Sequence, residues 1–481
     1  MPANKSVMKK FFLSVVLASA TLTGCTLAPK YQRPAAPVAQ TWPKNSATKN
    51  HANQTNAVAD IGWREFFNDP RLQKLIELSL TNNRDLRVAV LNVEQTRAQY
   101  RIERAGLFPE IDATGSELRQ RLPHDLSGTG EPAVSSQYSL SLGTTSYELD
   151  LFGRIRSLKA AALENYFATE EARKSAQIAL VAEVANQYLA ERELEEQLKM
   201  TQKTLAAVQN SYDLIKASYD VGNSSELDLR TAEAQVETAK ANAANFEQQR
   251  NQAQNALTLL VGEPLPAYLP KPQSWNSQHL LTDLPPGLPS DLLQCRPDIL
   301  EAEHQLKAAN ANIGAARAAF FPTISITANA GTSSAQLAGL FADGSGAWLF
   351  NPQITLPIFE AGRNKANLDA AKIEKLIEVA NYEKTIQTAF REVADALVAK
   401  KFTDEQLADQ TALVKAEQRR YDLADARYRN GVDSYLTALL AQQDLYSAQQ
   451  NLIATQFARL SNLIGLYQAL GGGWQEYSTQ H

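Results

Sequence analysis

The chain has 481 residues, with 47 Lys and Arg against 52 Asp and Glu, and 44% of it is hydrophobic. The near balance of charge excludes the basic field that a nucleic-acid surface needs, and the hydrophobic share is that of an ordered protein. Two cysteines, at 25 and 295, offer no disulfide framework, and the five histidines lie in unrelated segments without metal-ligand spacing.

In chain order, Lys9 and Lys10 precede an apolar run from Phe11 to Leu22, and Leu22-Thr23-Gly24-Cys25 follows, which marks residues 1–24 as a secretory signal. These residues resemble a bacterial lipobox, which implies cleavage before Cys25 and lipid on its thiol; the alternative is an ordinary signal with an incidental cysteine. Thr26 stands after Cys25 where an Asp would signal retention, so the resemblance implies the outer membrane. A start at Met8 rather than Met1 fits the same signal. Past Leu22 no apolar run reaches the ~18 residues of a transmembrane helix, so any membrane span must be a β-barrel.

Residues 25–60, rich in Pro, Ala, Asn and Gln, read as an extended tether. A first repeat is predicted over 61–262. It opens on the aromatic cluster Trp63, Phe66 and Phe67, with a helix start at Asp69-Pro70 and one helix from Leu72 to Gly106. Pro109 ends that helix. Alternation at Ile111, Ala113 and Gly115, and again at Tyr138, Leu140 and Leu142, predicts two strands joined by a Gly/Pro loop. A long helix from about Ser157 to Tyr219 follows, roughly 90 Å at ~1.5 Å per residue. Gly222 turns the chain, and a return helix covers Leu227 to Leu260. Seven prolines between Pro264 and Pro289 mark 263–295 as an irregular equatorial linker packed on the helices.

Residues 296–471 repeat this plan. Leu407, Val414, Tyr421 and Tyr428 recur seven apart, the mark of helices packed along a seam, and Leu198, Leu205, Tyr212 and Tyr219 stand 209 residues earlier. Gly431 matches Gly222, and Gly362-Arg363 matches Gly153-Arg154. The strands of this copy are expected at Ile324 to Ala328 and at Trp348 to Ile358, and residues 472–481 form a C-terminal tail. The chain is therefore an internal duplication, with four strands that carry one apolar and one small polar face. Four strands cannot close, and an open edge cannot sit in lipid, so a barrel must be shared: two chains supply eight strands, three supply twelve.

Together with the lipobox, Leu149-Asp150-Leu151-Phe152-Gly153-Arg154, Arg296-Pro297-Asp298, Ala318-Ala319-Phe320-Phe321-Pro322 and Tyr428-Arg429-Asn430-Gly431 resemble the outer membrane factor family of TolC-like exit ducts, nearest its OprM-like lipoproteins. The resemblance runs from the lipobox to Gly471-Gly472-Gly473-Trp474. It implies a homotrimer: a twelve-stranded outer-membrane β-barrel, four strands per chain, continued by a long periplasmic α-helical barrel. It also implies a periplasmic membrane-fusion adaptor and an inner-membrane resistance-nodulation-division (RND) transporter as partners, and export of drugs and other small molecules through a passive gated duct. By distance from the turn glycine, Asp422 and Asp425 match the acidic aperture positions of such ducts. They lie three apart on one helix face, so threefold symmetry would make acidic rings of them. The plainer reading is a solvated helix face. Arg427 or Arg429 is expected to pair with a carboxylate on a neighbouring hairpin. The turns Val221-Gly222-Asn223 and Asn430-Gly431-Val432 are expected to dock the adaptor.

No nucleophile–base motif, phosphate loop or metal cluster is recognisable, which predicts a non-enzyme without cofactor beyond the lipid on Cys25. The alternatives within the fold are a duct for type I protein secretion or for metal ions, although three methionines give little for copper or silver. A soluble lipid-anchored coiled coil would not need the Trp348-to-Ile358 alternation.

Overall fold

The structure is a computed structural model and describes residues 26–39, 41–42, 58–128, 130–275, 278, 280–282, 284 and 289–478. The signal, Cys25 and all of 43–57 lie outside these residues. The chain divides into two compact units, the first built from 93–169 and 302–382 with the N-terminal stretch up to Ala35, the second from 36–92, 170–301 and 383–481.

The helices are α1 (Trp63–Phe66), α2 (Pro70–Asn82), α3 (Arg84–Ala105), α4 (Arg154–Asp220), α5 (Glu226–Val261), α6 (Leu292–Cys295), α7 (Pro297–Ala318), α8 (Arg363–Arg429) and α9 (Tyr435–Ala469). The strands are β1 (Asp112–Leu122), β2 (Ala133–Leu149), β3 (Thr323–Ser334) and β4 (Gly346–Thr355). The duplication is visible in the lengths: α4 and α8 have 67 residues each, and α3 and α7 have 22 each. The single helix expected from Leu72 to Gly106 is instead two. Asn83 interrupts it, because its side chain caps α3 by accepting from Leu86 N at 2.9 Å while donating to Leu260 O at 2.9 Å.

In the first unit the strands form one antiparallel sheet in the order β1-β2-β3-β4. Register places Gly115 opposite Leu140, Ala113 opposite Leu142, Ile324 opposite Ile354 and Ala328 opposite Phe350. Paired residues share a face, so Ala113, Leu140, Leu142, Ala330, Phe350 and Ile354 fall on one side, where Glu117 and Arg119 also stand opposite Tyr138 and Ser136, while Leu118 and Leu349 fall on the other. A bulge between Thr144 and Tyr147 keeps this true along β2. It adds one residue, so Tyr147 and Leu149 join the face of Leu140 and Leu142, paired with Ile326 and Ile324. Leu142, Trp348, Phe350 and Ile354 are 59–79% exposed, and β1 and β4 have free outer edges.

The start of the tether is not loose. Thr26 Oγ1 lies 3.0 Å from Ser157 Oγ, Leu27 O accepts from Arg317, Pro29 O accepts from Asn310, and Arg33 makes a bidentate pair with Glu303 at 2.6 and 2.9 Å. Six steps of extended chain, at ~3.3 Å each, match fourteen helical steps of α7 at ~1.5 Å, so the segment runs antiparallel along that helix as a strap. Gly314 permits the approach, since a Cβ there would come within 2.8 Å of Ala28. Burial raises the Glu303 carboxyl pKa, but the Arg33 hydrogen bonds and the Lys307 charge outweigh it and hold the pKa below its ordinary value. Glu303→Ala is expected to weaken strap docking by ~1–2 kcal/mol, because Arg33 is half-exposed and rehydrates. Trypsin cleavage after the exposed Lys30 should then rise about tenfold, with the open population; an unchanged rate would exclude the pair as the fastener.

In the second unit the aromatic cluster is the core. Phe66 stacks on Tyr467 at 4.0 Å, and Phe67 meets the same ring edge-on. Asp69 caps α2 through Arg71 N and also accepts from Tyr188 Oη at 2.7 Å and Gln278 Nε2 at 2.9 Å. The linker is pinned by buried Trp275, which donates to Gln456, and by Lys400 on Thr282 O. Residues 472–478 also pack, with Trp63 N bonded to Gln475 O and Arg64 paired to Glu476.

Candidate functional site

The second unit ends in two helical turns. Each is closed by a left-handed glycine, Gly222 at φ 80° and Gly431 at φ 72°. In each the glycine N–H bonds three residues back, to Tyr219 O or Tyr428 O. The next N–H bonds five back, from Asn223 to Ser218 O or from Val432 to Arg427 O. This is a Schellman closure, which needs φ > 0 at the glycine. Asn430 Nδ2 also caps Ala426 O at 2.7 Å. Val221 and Val432 are 70% and 60% exposed, so both turns present an apolar side chain to solvent.

Behind the turns the two hairpins pack on each other. Ile215, Ala232, Tyr435 and Leu439 form one buried cluster, with Tyr212, Leu229 and Tyr428 against it. A second cluster, Ala424, Ala438 and Ala441, takes Tyr421 and Tyr428. The tyrosines of the seven-residue repeat are thus mainly packing groups. Tyr219, 39% exposed, is the departure, because it lies in the last turn of α4.

The four charged residues singled out in the sequence lie on the last two turns of α8, each with a polar partner on the same hairpin. Gln418 donates to Asp422 at 2.9 Å, and Asp425 pairs with Arg429 at 2.8 Å, i to i+4. Arg427 grips Asp433 with two hydrogen bonds, at 2.6 and 2.9 Å, across the turn. Within the chain, both arginines therefore find carboxylates on their own hairpin rather than on a neighbouring one. The Arg427 hydrogen bonds hold the Asp433 carboxyl pKa below its ordinary value. Asp433 was not visible as a site residue, since it lies six positions from Arg427 with the turn between. A comparison of the two tips could have found it: Ser218 and Ser224 stand 209 residues before Arg427 and Asp433, so the clamp exists only on the second hairpin. One turn further back, Arg420 joins Asp444 of α9 at 2.7 Å, a second ionic tie across the same hairpin.

Among the described residues no group of His, Cys, Asp and Glu is arranged to hold a metal, and no helix is long and apolar enough to cross a membrane. What the geometry offers is a folded-back helical end tied by several ion pairs, and a sheet with one mainly apolar face and two unpaired edges.

The sequence profile of the outer membrane efflux protein family matches residues 75–263 and 288–472, one stretch per repeat. The chain is 54% identical over 473 residues to the toluene efflux pump outer membrane protein TtgC of Pseudomonas putida, covering 98% of each. It is equally similar to the antibiotic efflux pump outer membrane protein ArpC of Pseudomonas putida, at 54% identity and the same coverage. It superposes on the open state of the Neisseria gonorrhoeae MtrE outer membrane channel with a TM-score of 0.87 and 42% identity, covering 95% of this chain and 100% of that one. The sheet, the doubled helical hairpins and these matches agree: the chain belongs to the outer membrane efflux protein family, and it is an outer-membrane efflux channel protein.

Proposed function

We propose that three copies close a twelve-stranded barrel in the outer membrane, and that their helical hairpins form a periplasmic duct that passes drugs and other small molecules outward. The observation that carries this is the sheet: one face that is mainly apolar on β2, β3 and β4, and a free edge at both β1 and β4. An isolated sheet of this kind cannot lie in lipid, so β1 of one copy pairs with β4 of the next. The duct itself does no chemistry. Energy comes from an inner-membrane RND-type transporter, joined through a periplasmic adaptor that docks at Val221-Gly222-Asn223 and Asn430-Gly431-Val432. The exposed valines at those turns favour that role. Asp422 and Asp425 set the field at the closed end, and the Arg427–Asp433 and Arg429–Asp425 pairs hold the second hairpin shut. Lipid on Cys25 adds an anchor one residue before the docked strap.

The relatives named for toluene and antibiotic efflux favour small organic substrates over secreted proteins or metal ions. Deleting the gene is expected to raise susceptibility to lipophilic antibiotics and solvents, and an affinity-tagged chain should co-purify an adaptor and a transporter. Unchanged susceptibility to such compounds, with a defect in protein secretion or copper tolerance instead, would replace this reading with one of the alternatives.

A further inference from the structure

The second unit holds an unfilled trough between α4 and α9. One wall is a face of α4 with Met200, Thr204 and Ala207; the other is a face of α9 with Leu445, Tyr446 and Ile453. The two helices are tied beside it, by Gln197 Nε2 donating to Gln450 O at 3.2 Å and by Tyr446 Oη, 2.8 Å from Thr201 Oγ1. Tyr446 also accepts from Gln450 at 2.9 Å, so its ring is held in place. Trp275 bounds one end, where it donates to Gln456, and Tyr421 of α8 stands at the other, beside Ala438 and Ala441. The cavity measures about 440 Å³, within the range of small-molecule sites. A ring at each end suits a compact ligand; a docked helix would have to run on past both.

The polar groups are amides in a row. Gln442, Gln449 and Gln456 recur every seven residues on α9, about 10 Å apart, and all three line the trough. Gln456 is engaged by Trp275, while the partly buried Gln442 and Gln449 side chains make no hydrogen bond among the described residues. The internal repeat supplies a comparison. On α5, 209 positions earlier, Glu233, Lys240 and Glu247 occupy the glutamine positions and Glu237 that of Tyr446. Charges are what a solvated helix face carries; α9 has none of the four, and sets amides and a ring over empty space instead. Met200, the only methionine past the predicted signal, adds an adaptable thioether to the wall. At the rim Glu196 is met by Lys199 at 3.7 Å and Lys203 is exposed, so no unpaired carboxylate calls for a cation.

We propose that this trough binds an uncharged aromatic amide of drug size, its rings between Trp275 and Tyr421 against Tyr446 and Met200, and its amide on the Gln442 and Gln449 side chains. The site uses neither Asp422 and Asp425 nor the two turns, and it does not depend on the three-copy reading.

Photolabelling with para-benzoylbenzamide, a photoreactive aromatic amide, tests it on the full-length protein purified in amphipol. Adducts mapped by peptide mass spectrometry are expected at Met200 and its neighbours, and are expected to saturate with probe concentration. Gln442→Leu with Gln449→Leu should raise the half-saturating concentration about tenfold, and should leave that of para-methylbenzophenone, which has no amide, unchanged. Ala207→Trp, which fills the trough, should abolish labelling by both probes, and Asn451→Leu, on the exposed side of α9, should alter neither. Labelling that rises linearly and spreads over many peptides is mere partition and overturns the site, as does full labelling of Ala207→Trp. Equal weakening of both probes by the glutamine change overturns the amide as the recognised group. Should a substituted chain fail to fold, the wild type decides: benzanilide in excess must suppress the Met200 adduct, and an adduct it leaves untouched overturns the proposal.

Discussion

Replacing Asp422 and Asp425 with Ala is expected to raise single-channel conductance in planar bilayers several-fold. In three copies the change removes six carboxylates from the last turns of α8. It also releases the Arg429 partner at 2.8 Å and the Gln418 partner at 2.9 Å, so both the local field and the ties on the last turns of α8 are lost. Unchanged conductance in a folded trimer would remove these acids as the gate. The Arg427–Asp433 clamp predicts how the wild-type channel responds to pH. A carboxyl whose folded pKa is depressed stabilises the paired tip in full above its ordinary pKa, and loses that contribution as pH falls from there through the folded value. Because the Arg427 hydrogen bonds hold the Asp433 pKa below its ordinary value, mild acidification to pH 5 should leave the clamp intact, and opening from this source should begin only in stronger acid. Asp433→Asn should show the acid-opened conductance already at pH 7.

Arg296→Ala is expected to cost about 2–4 kcal/mol of stability, read as a lower midpoint of thermal unfolding in detergent. This guanidinium is 8% exposed and joins three things: Asp298 by two bonds at 2.6 and 3.0 Å, Glu392 of α8 at 2.9 Å, and the Ala469 carbonyl at the end of α9 at 3.0 Å. Its removal leaves two carboxylates without their shared cation and a helix-terminal carbonyl without this donor. Asp298 and Glu392 reach solvent, which keeps the cost below that of a fully enclosed pair. Arg296→Lys should recover only part, because an ammonium cannot span Asp298 in a fork and still reach α8 and α9. A midpoint equal to wild type would show that the linker's end is held by something else.

Sequence periodicity was sufficient for the elements because it is local. Apolar residues at heptad spacing make α4 and α8, alternation makes the strands, and a glycine at each tip makes the turn, all within a few residues of the cause. The offset of 209 between Tyr212 and Tyr421 made the duplication, and hence the four-stranded share of a barrel, readable before any coordinates. The charged tip was legible as a set of residues, but not as pairs. Asp433 belongs to Arg427 only because the turn folds it back. The same holds for the strap on α7, where Arg33 meets Glu303 across 270 residues of chain, for Asn83 as a cap held by Leu260, and for the bulge that rescues the face of β2. Local pattern decides which face of an element is apolar. Which remote group covers that face is decided by the packing of the whole chain.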